Sequence, residues 1–190
     1  MDTARDEATG AGTSGLHAIL HRWPSAVGLA AAIWSLATGA ERRAVAVTIC
    51  VAALCYLGAA ALDKPWVAWA GIPGGSLVVV VSEVIGLVWW AGIGIAALAL
   101  IGIGLLTKVS RPPLTAQTLA LIGFGALAVV GMYVAPRAGL ALAGVALASH
   151  SVWDVIHYRR NQVVPRSLAE FCVLLDVPLG AGAVILAILD

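Results

Sequence analysis

The sequence predicts an all-α, polytopic integral-membrane bundle of about seven transmembrane helices with a cytoplasmic N-terminus. Three observations lead there. Hydrophobic residues make up 61% of the chain and charged residues 11%, against roughly 45–50% apolar and about 25% charged in soluble domains. The apolar residues fall into runs about as long as a bilayer is thick, which needs about 20 residues per helix. Cations also collect on alternate sides of those runs, as the positive-inside rule requires.

Residues 1–13, MDTARDEATGAGT, are small, polar and mixed in charge, and are expected to form a disordered tail. They lack the basic start and short apolar core of a cleaved signal. Residues 14–23 follow, with Leu16, Ile19, Leu20 and Trp23 at i, i+3, i+4 and i+7, which suits an amphipathic segment lying in the interface. His17 and His21 would be neighbours there, a spacing that can bind metal but more often marks a solvated face. Residues 24–190 form a single transmembrane domain.

Its spans are expected near 25–40, 44–62, 67–89, 91–107, 114–134, 138–158 and 168–189. Polar breaks at 41–43, 63–65, 108–113, 135–137 and 159–166 separate most of them. The stretch 66–107 is twice the length of one span and must fold back, with a turn near Trp90. Trp66 and Trp69 at one end, with Trp89 and Trp90 at the other, fit the two aromatic belts. Seven crossings then put Arg5, Arg22, Lys64, Lys108, Arg111, Arg159, Arg160 and Arg166 inside, and Arg42, Arg43 and Arg137 outside. Asp190 would face outward. A multi-pass cell-membrane protein is the implied localisation.

Several functions are excluded early. A net charge of +1 without a basic run gives no footprint for nucleic acid. Cys50, Cys55 and Cys172 form no CxxC pair, so they read as small buried residues. The glycine-rich run at 92–104 suits close helix packing in lipid, since no strand precedes it and no Lys-Ser or Lys-Thr follows.

The chemistry concentrates in ASHSVWDVIHYRR, residues 148–160. His150, Asp154 and His157 lie four and three residues apart, so they share about 60° of one helix face. Ionisable groups in lipid cost about 2.5–3.5 kcal/mol each, so this stripe should face the bundle interior and find partners. The short link to the last span makes the two helices antiparallel neighbours. Residues whose numbers sum to about 326 then share a depth, pairing His150 with Asp176, Asp154 with Cys172 and His157 with Glu170. The His150–Asp176 level lies about 13 Å from the boundary, near the midplane. Pro178 just beyond Asp176 deletes a backbone bond and bends the helix. Glu170 also matches a capping box with Ser167, and Glu83 falls in the outer half, where it could seal a separate polar contact.

The pattern H-x-x-W-D-x-x-H at 150–157, with Val-Val-Pro at 163–165, Ala-Glu-Phe-Cys at 169–172 and Asp176, resembles a group of small bacterial integral-membrane proteins of unknown function. The likeness covers roughly the last 45 residues and brings no activity with it. In architecture the chain is also similar to membrane-bound terpene cyclases of meroterpenoid and indole-terpenoid pathways.

That likeness implies a lipophilic substrate drawn from the bilayer, surrounded by membrane lipids, with no cofactor. Asp154 or Asp176 would protonate an alkene or epoxide, and His150 would orient the acid or recover the proton. Trp153, Tyr56 and Tyr133, with His157, Glu170 and Glu83, would bind the substrate, aromatic faces stabilising carbocations by about 0.5–2 kcal/mol per contact. A second reading is a lipid hydrolase in which His150, Asp154 and His157 hold zinc or another divalent metal, with Asp176 or Glu170 as fourth ligand or base. A third is a proton-coupled transporter or a membrane scaffold, although no duplicated halves are evident.

Overall fold

The structure, a computed structural model, describes residues 22–189. The expected tail, most of the interfacial segment with His17 and His21, and Asp190 lie outside the described residues. Among the described residues seven α-helices follow one another: α1 Trp23–Ala37, α2 Arg42–Leu62, α3 Val67–Val84, α4 Trp89–Leu106, α5 Arg111–Tyr133, α6 Pro136–Arg160 and α7 Arg166–Leu189. The last six are long and apolar enough to cross a membrane, whereas α1, at 15 residues, is shorter.

Small residues decide which helix sits in the middle. The run VAALCYLGAAAL lets neighbours approach α2 from every side. Most of its apolar stretch, 78%, is buried inside the protein, against 22–44% for the other five long helices. The hairpin of α6 and α7 is closed by Gly144 and Gly180, where an added Cβ on Gly180 would meet the Gly144 carbonyl oxygen at 2.6 Å. Helix α1 lies against α7 in the same way, with Gly28 against the Phe171 backbone.

Backbone chemistry fixes the ends. Asp63 and Asn161 take the left-handed conformation that stops α2 and α6. Pro112 and Pro136 stand in the first turns of α5 and α6, where no donor is lost. The turn between α3 and α4 falls at 85–88 and not near Trp90. Gly86, with φ of +79°, supplies the left-handed residue, and Leu87 N–H bonds back to the Ser82 carbonyl at 2.7 Å. That is a Schellman stop, and it frees Trp89 and Trp90 to start α4.

The ends of the bundle differ in charge. Lys64, Lys108, Arg111, Arg159, Arg160 and Arg166 stand in or beside turns at one end, called the basic end below, while Arg42, Arg43 and Arg137 stand at the other. At the basic end Trp23, Trp69 and Phe171 stack with centroids 5.1 and 5.4 Å apart. Trp69 Nε1–H donates to Ser167 Oγ at 3.1 Å, and Ser25 donates to Glu170. The capping box expected of Ser167 and Glu170 is therefore absent. Helix α7 already starts at Arg166, directly after Pro165, so Ser167 lies inside its first turn and both side chains are released to bond other helices.

Candidate functional site

The polar residues meet where α2, α6 and α7 converge. His150, Asp154 and Asp176 are completely buried. His150 Nδ1 lies 2.9 Å from Asp176 Oδ2 and 3.4 Å from Asp154 Oδ2. Carboxylate oxygens only accept, so Nδ1 carries the hydrogen and donates it to Asp176. Tyr56 Oη–H, from α2, donates to Asp154 Oδ1 at 2.6 Å. The Tyr56 ring stands edge-on to His150 and His157, with centroids 5.5 and 5.0 Å away. On the side of α5, Phe124 meets His150 edge-on at 4.9 Å. Asp154 Oδ2, Asp176 Oδ1 and His150 Nε2 are buried without a hydrogen-bond partner among the described residues.

One layer toward the basic end a second network closes on itself. Trp153 Nε1–H donates to Gln117 Oε1 at 2.9 Å, and Gln117 Nε2 lies 2.9 Å from His157 Nε2. His157 Nδ1 lies 2.8 Å from the Trp153 carbonyl oxygen. A carbonyl accepts, so Nδ1 bears the hydrogen, Nε2 takes one from the Gln117 amide, and a neutral imidazole satisfies every group in the ring. Both nitrogens of His157 are thus occupied. The carboxylates lie in one centre and His157 in an adjoining layer, which differs from the ligand set His150, Asp154 and His157 expected of one helix face. Sharing a face does not ensure sharing a partner, because the facing helix supplies Asp176 to His150 and α5 supplies Gln117 to His157.

The remaining predicted residues are dispersed. Glu170 bonds Ser25 on α1 and not His157. Glu83, at the opposite end, is half exposed and paired with Arg43. Tyr133 is 71% exposed and stacks on Trp90, remote from the centre. Glu83 thus makes the separate polar contact that its outer position suggested, and Tyr133 packs on Trp90 instead of on the carboxylates. Gln117 is the residue that sequence reading passed over; its signal was a lone amide in the apolar run of α5.

The centre joins chemically versatile groups. With neutral His150 and both carboxylates ionised its charge is −2, and burial of uncompensated charge is costly. Neutrality needs two protons or one divalent cation, and the oxygens without partners are where either can be held. One ligand atom from each of His150, Asp154 and Asp176 lies within 4.8 Å of the others, so these three could hold a metal. Beyond the centre, away from the basic end, α6 and α7 carry Ala143, Gly144, Gly180 and Ala183 in close contact, so the polar ladder stops midway.

An apolar cavity of about 450 Å³ opens between α4 and α5, with Cys50 at its back and Trp90 at one end. Its wall includes Leu121 and Gly125, on either side of Phe124 in α5. Thr118 in the wall spends its hydroxyl on the Leu114 carbonyl at 2.8 Å, which leaves a surface suited to hydrocarbon. Comparison with protein-family models, with curated proteins and with solved structures finds no match.

Proposed function

We propose that this chain is a seven-span membrane enzyme, its basic end facing the cytoplasm, that performs proton-initiated chemistry on a lipophilic substrate of the terpenoid type. The observation that carries the reading is a centre of two buried carboxylates on one imidazole, whose polar connections lead to one end of the bundle only. A transporter needs access to both sides in turn, whereas an acid acting on a molecule dissolved in the bilayer needs protons from one side and hydrocarbon from the other. The cavity between α4 and α5 has a volume in the usual range for ligand pockets, about 300–1,000 Å³. Phe124, whose ring meets His150, sits on the same helix as the wall residues Leu121 and Gly125.

In this reading Asp154 is positioned by Tyr56 and Asp176 by His150. A proton held by one carboxyl adds to a terminal alkene carbon or epoxide oxygen of the substrate. The alkene's π pair, or the breaking C–O bond, leaves a cation that internal alkenes attack. Loss of a proton from carbon to the carboxylate ends the sequence, so the product is an isomer and the acid is restored. The test is proteoliposomes in deuterated water with farnesol, geranylgeraniol and their terminal epoxides. The expected product of an alkene substrate carries carbon-bound deuterium and disappears in Asp154→Asn and Asp176→Asn; folded wild-type protein that converts none of these substrates would overturn the assignment.

A second reading is favoured by the three converging donor atoms: a divalent metal on His150, Asp154 and Asp176 supporting hydrolysis of a lipid amide or ester. Metal analysis of the purified protein separates the two, because a stoichiometric ion lost in His150→Ala belongs to the hydrolase alone.

A further inference from the structure

A separate cavity of about 290 Å³ lies at the basic end, where the turns α2–α3, α4–α5 and α6–α7 come together. Its wall is mixed, with the polar side chains of Asp63, Lys64, Ser110 and Gln162 set among apolar ones such as Ala60 and Pro113. Three helices place it over the closed network. Ala60 follows Tyr56 by one turn of α2, Pro113 precedes Gln117 by one turn of α5, and Gln162 follows His157 just beyond the end of α6. Helices α2 and α6 run toward this end and α5 runs away from it, so all three offsets point the same way.

We infer that this cavity is a water-filled vestibule through which the solution at the basic end reaches the buried centre, and that the Tyr56–Gln117–His157 layer is its inner gate. The purpose assigned to it rests on the acid–base reading above; its existence as an aqueous path does not. A hydrated entry needs room for several waters and polar groups to bond them, and the wall offers charges of both signs, a hydroxyl and an amide. Gln117 bonds His157 and Trp153 together, and the Tyr56 ring lies against His157, so no open passage crosses the layer. Rotation of the Gln117 amide would release both partners at once. The outer rim is held by an uncommon device: Val163 has φ of +69° in a three-residue turn closed by Val164 N–H to the Gln162 carbonyl at 2.8 Å. A β-branched residue there is strained, and the hydrogen bond that closes the turn ties down the Gln162 backbone.

The experiment uses the full chain in proteoliposomes and a charged, membrane-impermeant methanethiosulfonate, with labelled peptides read by mass spectrometry. Ala60→Cys and Gln162→Cys are expected to be labelled from one side of the membrane. Ala61→Cys is expected to stay unlabelled, because Ala61 is buried away from the cavity. Gln117→Ala should speed hydrogen–deuterium exchange of the carboxyl groups at the centre, read by their infrared band. An unlabelled Ala60→Cys in a protein that melts like wild type overturns the vestibule, as does exchange that Gln117→Ala leaves unchanged. Labelling as expected with no carboxylic band at all would keep the vestibule and reject the acid–base reading.

Discussion

His150→Leu is expected to destabilise the folded protein by about 1–3 kcal/mol, the cost of leaving buried polar groups without their donor. The residue donates to Asp176 and stands 3.4 Å from Asp154, so its loss leaves two carboxylates facing each other without a donor between them. Adding Asp154→Asn and Asp176→Asn to the same chain should recover more than half of that loss, since amides carry no charge and can donate to one another. Reversible unfolding in mixed detergent micelles measures both steps. If single and triple variants are equally unstable, the loss comes from packing around Tyr56 and Phe124, and the electrostatic account of the centre fails.

Gln117→Leu is the second large effect. The substitution leaves the Trp153 indole N–H and His157 Nε2 without partners, and a buried group left unsatisfied costs about 1–3 kcal/mol. Interhelical hydrogen bonds in membranes average nearer 0.6 kcal/mol, so a sum of about 2 kcal/mol is expected for the pair. Nitrogen NMR of the imidazole gives the sharper test: Nδ1 keeps its hydrogen on the Trp153 carbonyl in both proteins, whereas the Nε2 resonance should shift to that of an unbonded acceptor nitrogen in the variant. An unchanged spectrum would mean that Gln117 does not hold the ring.

How much of this was legible depends on how far a contact reaches along the chain. The long spans follow from runs of apolar residues, and the depth rule for two antiparallel helices joined by a short link brings His150 to Asp176, 26 residues away. Tyr56 and Asp154 are 98 residues apart, and nothing in either segment says that α2 is the central helix. Small residues along VAALCYLGAAAL carried that information, but they read equally well as packing against lipid or against any neighbour. Gln117 was invisible for the same reason. The α3–α4 turn was misplaced because aromatic belts outweighed Gly86, whose positive φ is what stops the helix. Ser167 and Glu170 looked like a capping box because that pattern assumes a helix start, and Pro165 moved the start earlier.

The central claim is that the His150–Asp154–Asp176 centre holds protons to reach neutrality. Infrared difference spectroscopy of the protein in lipid, compared with Asp154→Asn and Asp176→Asn, tests it directly. The account predicts a buried carboxylic acid band that changes in each single variant and vanishes when both are combined. Ionised carboxylates only, with a bound divalent cation in their place or with none, would contradict it.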